Sequence, residues 1–250
     1  MNFRFGSNPI SLFIPRRQFD PAVPELMDRP DTDPELVKDA LKDLRIVNKY
    51  FGGLAAVRKN ILPLFNTLPP EKEIFILDLA TGSGDQLVAL AALARKLNRK
   101  VHITAVDKNP HMVEVARTLA GPYPEITVLQ ADLFDLPFDD KSFDIVLCSL
   151  VIHHFSEDEA IRLLQRMQRL SRVGLIVNDL NRSWLAAGII WLYIHATTRN
   201  PLMLFDSHTS VLRAFTRDDL AVMTKKAGMK NFTIRTLPFF RLTLRVETTI

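Results

Sequence analysis

The chain holds a single cysteine, Cys148, among 250 residues. No internal disulfide can brace it, and a reducing cytoplasm is its natural setting. It lacks a charged start followed by an apolar stretch and a small-residue cleavage site, which argues against export. Neither a repeat of fixed period nor a low-complexity tract organises it. Its most apolar segment, residues 184–194, is shorter than the roughly twenty residues a bilayer-crossing helix needs. The net charge of +4 is small. Arginines between Arg162 and Arg172 alternate with Leu and Met at helical spacing, as on a solvated helix face. No basic stripe with interleaved aromatics recommends nucleic acid as a partner. What remains is a length ample for one α/β core, with nothing requiring a second domain.

The most informative stretch is Ile74-Phe75-Ile76-Leu77-Asp78-Leu79-Ala80-Thr81-Gly82-Ser83-Gly84-Asp85. An apolar run around Asp78 suits a central strand buried on both faces. Gly82 and Gly84 let the backbone turn sharply and approach a ligand before an amphipathic segment begins at Gln86. Such a strand–turn–helix unit opens a cofactor crevice at the carboxyl edge of a parallel sheet. A dinucleotide fingerprint wants a third glycine or alanine where this chain has Leu87, and Asp85 sets a negative charge where the pyrophosphate would arrive. A nicotinamide oxidoreductase is therefore disfavoured. Asp78 and Asp85 suit a cationic ligand such as S-adenosylmethionine, which carries an ammonium and a sulfonium. The plain alternative is a ligand-free turn with Asp85 capping the next helix.

Further landmarks follow in order. Residues 101–107 read as a second strand ending in Asp107, about two dozen residues past the glycines, where a carboxylate can clamp ribose hydroxyls. Asp107 could equally cap a helix starting at Pro110, with Asn109 before it. Residues 126–133 form a third strand running into Asp132 and Leu133, and residues 143–149 a fourth ending in Ser149. The pair His153-His154 then precedes Ser156, with Glu159 at capping-box spacing. Histidine is the side chain that changes charge near neutral pH. No cysteine or acid recurs at metal-ligand spacing near the pair, so no metal is expected.

With these residues in view, the chain resembles the class I S-adenosylmethionine-dependent methyltransferases, particularly the ubiquinone/menaquinone-biosynthesis type, over roughly residues 73 to 180. Ala80 stands at the family's first glycine position, a mild departure provided its φ stays negative. The resemblance implies an α/β fold. It consists of a seven-stranded Rossmann-like methyltransferase sheet with helices on both faces, the last strand inserting antiparallel beside its predecessor. It assigns Asp78, Ala80, Thr81, Gly82, Gly84, Asp107, Lys108 and Ser149 to S-adenosylmethionine. Asp132 would accept from the adenine amino group and Leu133 would pack on the ring. It sets the histidine pair where substrate and methyl group meet. His154, and after it His153, are thus catalytic candidates, against the alternative that they only hold the loop.

Residues 1–32, with Pro9, Pro15, Pro21, Pro24 and Pro30, read as a loosely packed N-terminal arm before a single methyltransferase domain at 33–250. Within it, residues 33–70 form a helical cap: Asp33-Pro34-Glu35 starts one helix, Gly52-Gly53 ends it, and a second precedes Pro69-Pro70. Tyr50 is a candidate lid residue touching substrate, or a core residue. A fifth strand at 173–178 leads into Asp179 and Arg182, then into a substrate-cap insertion at 183–215. The apolar segment there reads as a buried helix, a cap over an apolar substrate, or a helix lying at a membrane surface. Residues 205–210 with Arg213 form a polar patch, either a hydrogen-bonded loop or a group that orients a ligand, with His208 a third catalytic candidate. Asp179, Arg182 and Arg213 complete the substrate candidates. Residues 231–236 and 240–247 are two final strands, short enough for sheet edges.

The function expected is methyl transfer from S-adenosylmethionine to a small, largely apolar aromatic acceptor, at a phenolic or quinol oxygen. Two alternatives stand beside it: C-methylation of a quinone-like or polyketide ring, and a catalytically silent S-adenosylmethionine-binding partner protein. Protein and RNA acceptors are disfavoured, since Cys148-Ser149-Leu150-Val151 stands where an Asn-Pro-Pro-Tyr-like motif would follow the fourth strand. The oligomeric state is open.

Overall fold

A computed structural model describes residues 14–29 and 31–248. Pro9 and Pro30 of the arm fall outside the described residues. The apolar runs become strands β1 (Ile74–Leu79), β2 (Val101–Asp107), β3 (Ile126–Gln130), β4 (Phe143–Ser149) and β5 (Ser171–Leu180). These five pair in parallel, and with β6 (Phe232–Leu237) and β7 (Arg241–Glu247) they make one sheet of order β3-β2-β1-β4-β5-β7-β6. The antiparallel β7 lies between β5 and β6. Of the two strands expected at edges, only β6 is one; β7 has buried Leu242, Leu244 and Val246 to hold in the interior.

Strand order reverses between β1 and β4, and that switch point is where an open α/β sheet presents a ligand crevice at its carboxyl edge. Two cores flank the sheet. One joins it to α2 (Gly53–Asn66), α3 (Asp85–Lys96) and α4 (Pro110–Ala120) through Ile61, Leu64, Leu90 and Val113. The other joins it to α5 (Glu157–Leu170) and α8 (Arg217–Lys226) through Leu163, Met167, Leu220 and Met223. Helices thus cover both faces.

A third cluster has no strand in it. Val37 and Leu41 of α1 (Pro34–Tyr50) pack with Ile194 of α6 (Trp184–Thr197) and with Leu202 and Met203 of α7 (Pro201–Arg213). Local signals start each helix: the side chains of Asp33, Ser183 and Asn200 accept from the first-turn N–H groups of Glu35, Ala186 and Leu202. The polar patch at 205–210 is consequently helical, part of α7, rather than a loop. Helix α6 buries Ala186, Ala187 and Ile194 and leaves Trp184, Leu185, Trp191 and Leu192 exposed. No helix of the described residues is long and apolar enough to cross a membrane.

The arm is tied down over its described length. Arg17 donates to the carbonyls of Arg213 and Phe155 at 2.6 and 2.7 Å, and Arg182 donates to Pro15 O at 2.9 Å. The N–H groups of Leu26 and Met27 both reach the Asp206 carboxylate on α7, at 2.7 and 3.0 Å. Loose packing therefore does not describe residues 14–29. Buried side-chain charges recruit the arm's backbone where the sequence offers no period.

The tightest approach in the sheet is at Gly174, where a Cβ would stand 2.4 Å from Val246 O and 3.0 Å from Leu64 Cδ2. Gly174→Ala is expected to destabilise the fold by about 1–3 kcal/mol, the usual cost of overpacking. Urea unfolding reads it directly, and an unchanged midpoint would mean that β5 and β7 lie further apart.

Candidate active site

The glycine turn after β1 is built from left-handed backbone. Gly82 and Gly84 have φ of +56° and +79°, and Thr81 N–H donates to Val106 O at 3.0 Å, pinning the turn to β2. Ala80 also has a positive φ, +53°, contrary to the expectation that alanine keeps it negative there. An L-residue in that region is strained by about 1–2 kcal/mol, which glycine would avoid. A Cβ on Gly84 would meet Ala116 at 3.2 Å, so glycine there also lets α4 close on the turn.

Three carboxylates gather at this turn. Asp78 is buried at the end of β1, and burial, reinforced by the nearby charges of Asp85 and Asp107, pushes its pKa to about 7. Asp107 accepts from Gly82 N–H and Asn109 N–H, each at 2.9 Å; burial still raises its pKa. Asp85 accepts from Ser83 Oγ and Asn48 Nδ2 at 3.0 and 3.2 Å, and burial raises it too. The N-cap of α3 is Gly84, so Asp85 does not cap that helix with its side chain. Three buried atoms at this turn, Asp78 Oδ1, Thr81 Oγ1 and Gln86 Nε2, have no protein partner within hydrogen-bond geometry. Unpartnered polar atoms gathered beside three carboxylates suit a ligand, and the sign of the charge there fits an ammonium or sulfonium.

A cavity of about 450 Å³ opens from the turn, within the range of roughly 300–1,000 Å³ usual for small-molecule sites. Asp78, Ala80, Thr81, Gly82, Asp107, Lys108, Asp132, Leu133 and Ser149 all line it; Gly84 does not, and serves the helix packing instead. Asp132 is fixed by Phe134 N–H at 2.8 Å. Phe19, Met27, Leu41, Ile190, Tyr193, Met203 and Phe239 bring apolar surface from the arm, α1, α6, α7 and the β6–β7 turn.

A polar cluster shares the cavity with this apolar surface. His153 and His154 lie in a single 3-10 turn, Ile152–His154, that leaves β4. Asp179 Oδ1, at the end of β5, is 2.7 Å from His153 Nδ1. Glu25, from the arm, is 3.6 Å from His153 Nε2 and 4.0 Å from His154 Nε2. Asp28 Oδ2 is 3.0 Å from His154 Nδ1. Burial alone would lower the pKa of His153, but the charge and hydrogen bond of Asp179, joined by Glu25, raise it to about 10. His153 is accordingly a cation at neutral pH and takes no proton as a base. Burial would also raise the Glu25 carboxyl, yet the charges of His154 and His153 hold it below its usual value.

The other residues singled out from the sequence separate cleanly. Arg213 lines the cavity and donates through Nη2 to Val23 O, holding the arm. Asp179 sits behind His153 as its partner, outside the lining. Arg182 is buried under the arm, donating to Pro15 O, Ala214 O and the Asp219 carboxylate. Tyr50 is 62% exposed and His208 half-buried, and neither reaches the cavity. Glu25, Asp28 and Arg17 escaped the sequence reading, since they fall in a segment without period where no local pattern marks them. Asp206 belongs to the polar patch at 205–210, and its carboxylate holds the arm.

The buried Asp78 makes a pH prediction for the ligand-free protein. An unfolded aspartate is ionised above about pH 4, whereas the folded chain keeps Asp78 protonated up to about pH 7. The folded state then binds more protons across that window, so this residue's contribution to stability falls as pH rises through it. Asp78→Asn cannot ionise, and should melt several degrees above the parent at pH 8 with a smaller difference at pH 5. Equal melting curves at both values would mean that ionised Asp78 is already compensated.

Residues 76–174 match a family model described as a methyltransferase domain. A demethylmenaquinone methyltransferase of Thermotoga maritima is 30% identical over 210 residues, covering 74% of this chain and 85% of that protein. A ubiquinone/menaquinone biosynthesis C-methyltransferase of Wigglesworthia glossinidia brevipalpis is 34% identical over 108 residues, 42% of this chain and 41% of its own length. The fold is shared with a crystal structure of a SAM-dependent methyltransferase from Aquifex aeolicus, at a TM-score of 0.58 and 15% identity, over 87% of this chain and 99% of that one. With the cofactor turn, the strand order and a relative matched along most of its length in agreement, the chain belongs to the class I S-adenosylmethionine-dependent methyltransferases, with S-adenosylmethionine as its methyl donor.

Proposed function

We propose that the acceptor is a small, largely apolar aromatic molecule bearing a phenolic or quinol hydroxyl, methylated on that oxygen. The observation carrying this reading is that the His153–His154–Glu25 cluster shares one cavity with the apolar side chains of Phe19, Met27, Leu41, Ile190, Tyr193 and Met203. An aromatic ring packs on such apolar surface, and a hydroxyl on it can meet the cluster. The donor's methyl is intrinsically electrophilic, so alignment of the two partners supplies much of the acceleration. The hydroxyl proton passes to the cluster, the oxygen attacks the methyl carbon in line, the carbon–sulfur bond breaks, and S-adenosylhomocysteine leaves. His153 keeps its proton throughout, and its charge favours the oxyanion that forms.

A second reading has its own support. The Thermotoga maritima relative is named a demethylmenaquinone methyltransferase and the Wigglesworthia protein a C-methyltransferase. Deprotonating a quinol hydroxyl also enriches the neighbouring ring carbon, so the same cluster serves transfer to carbon. Incubation of alkyl-substituted hydroquinones and phenols with methyl-labelled S-adenosylmethionine, read by NMR, separates the two. A methyl signal on oxygen carries the first reading, one on ring carbon the second, and no product from any such acceptor overturns both.

Two variants test the division of labour. His154→Ala should lower kcat by about a hundredfold, the scale of general acid–base assistance, while S-adenosylmethionine affinity changes less than about twofold. Asp107→Ala should do the reverse and weaken that affinity at least about tenfold by calorimetry, since its hydrogen bonds to Gly82 and Asn109 also shape the turn. Swapped outcomes would mean that the two ends of the cavity have been misassigned.

A further inference from the structure

The Nε2 atoms of His153 and His154 face the same carboxylate at distances that do not suit hydrogen bonds. They stand 3.6 and 4.0 Å from Glu25 oxygens, beyond the usual limit of about 3.2 Å. The three donors lie within 4.8 Å of one another. Ligands bound tetrahedrally at about 2.0–2.1 Å are themselves about 3.3 Å apart, so a modest movement of the partly exposed His154 would bring the set into range.

Each donor is also oriented from behind. Asp179 holds His153 Nδ1 at 2.7 Å and Asp28 holds His154 Nδ1 at 3.0 Å, which leaves both Nε2 atoms as the free ring positions. Ser210 Oγ stands 2.8 Å from Glu25 Oε1. A carboxylate behind each imidazole is the outer arrangement found around metal-bound histidines, where it fixes the ring and raises its basicity. Glu25, Asp28 and Asp179 bring three negative charges with Asp206 close by, and the facing cations are Lys108, which acts on Asp28, and Arg17 and Arg241, which act on Asp179. All three donors line the cavity, so one side of the set opens onto the space an acceptor oxygen would occupy.

We infer that Glu25, His153 and His154 form a binding site for one divalent transition-metal ion of the zinc class, with an open position toward the cavity. Two imidazoles and a carboxylate select zinc, cobalt or manganese over magnesium and calcium, which prefer oxygen ligands alone. Binding displaces the proton on His153 Nε2, so affinity rises with pH. The site stands on its own geometry and does not depend on the identity of the acceptor.

The full-length chain, stripped by chelator, is titrated with zinc by calorimetry in two buffers of different ionisation enthalpy, and with cobalt by visible spectroscopy. Expected are one ion per chain, proton release on binding, and d–d bands of a nitrogen/oxygen set. Glu25→Gln and His154→Gln should each weaken zinc at least tenfold while keeping the parent's S-adenosylmethionine affinity and melting temperature. Two variants guard against one that fails to fold. No stoichiometric binding, or binding that survives both substitutions in folded protein, overturns the site.

Discussion

Three carboxylates forced together at one backbone turn set the terms for this molecule. Asp78 and Asp107 end neighbouring parallel strands, and Asp85 opens the helix between them, so the sheet itself fixes their approach. Burial raises the pKa of all three, and the charges of Asp85 and Asp107 raise Asp78 further. Such crowding is a standing cost to the empty protein, and a cation in the crevice relieves it. A donor with a sulfonium and an ammonium therefore binds where the fold is electrostatically least content. Strain at Ala80 adds to this local tension, since a tight turn is kept where a relaxed one would open the crevice.

The second half of the site depends on a chain segment far from the sheet in sequence. Glu25 and Asp28 are held near the histidines by an arm whose backbone is engaged by Arg182, Arg213 and Asp206 and whose Arg17 donates to the carbonyls of Arg213 and Phe155. The arm and the α6–α7 hairpin are thus joined through Asp206 and Arg213, and both contribute to the cavity lining. His153 lies between Asp179 at the end of β5 and Glu25 on the arm, so sheet and arm both favour its charged form, Asp179 the more. The chemistry of the cluster is accordingly a property of the assembled cap and not of the histidine turn alone.

What the sequence disclosed, and what it hid, follows from the range of the forces involved. The Asp78-to-Asp85 turn, the strand-end Asp107 and Asp132, and the capping box at Ser156 were legible because each is a local pattern imposed by backbone geometry. The helical cap from Asp33 was legible for the same reason. Partners of the histidines were not, since Glu25 and Asp179 meet His153 through tertiary contacts that leave no spacing behind. Tyr50 and Arg182 misled in the opposite sense. An aromatic at a helix end and an arginine after a strand look like site residues, but one faces solvent and the other anchors the arm. Residues 205–210 looked like a loop because their polar side chains masked a helix whose polar face seats the arm.

The account rests on Asp78 giving up a proton when the cationic nucleoside arrives. Calorimetry of S-adenosylmethionine binding at pH 6.5, repeated in buffers of different ionisation enthalpy, measures that proton. One nucleoside per chain with release of a substantial fraction of a proton, fading to none by pH 9, is the expected result. Binding with no proton released at pH 6.5, or no binding at all, would contradict it.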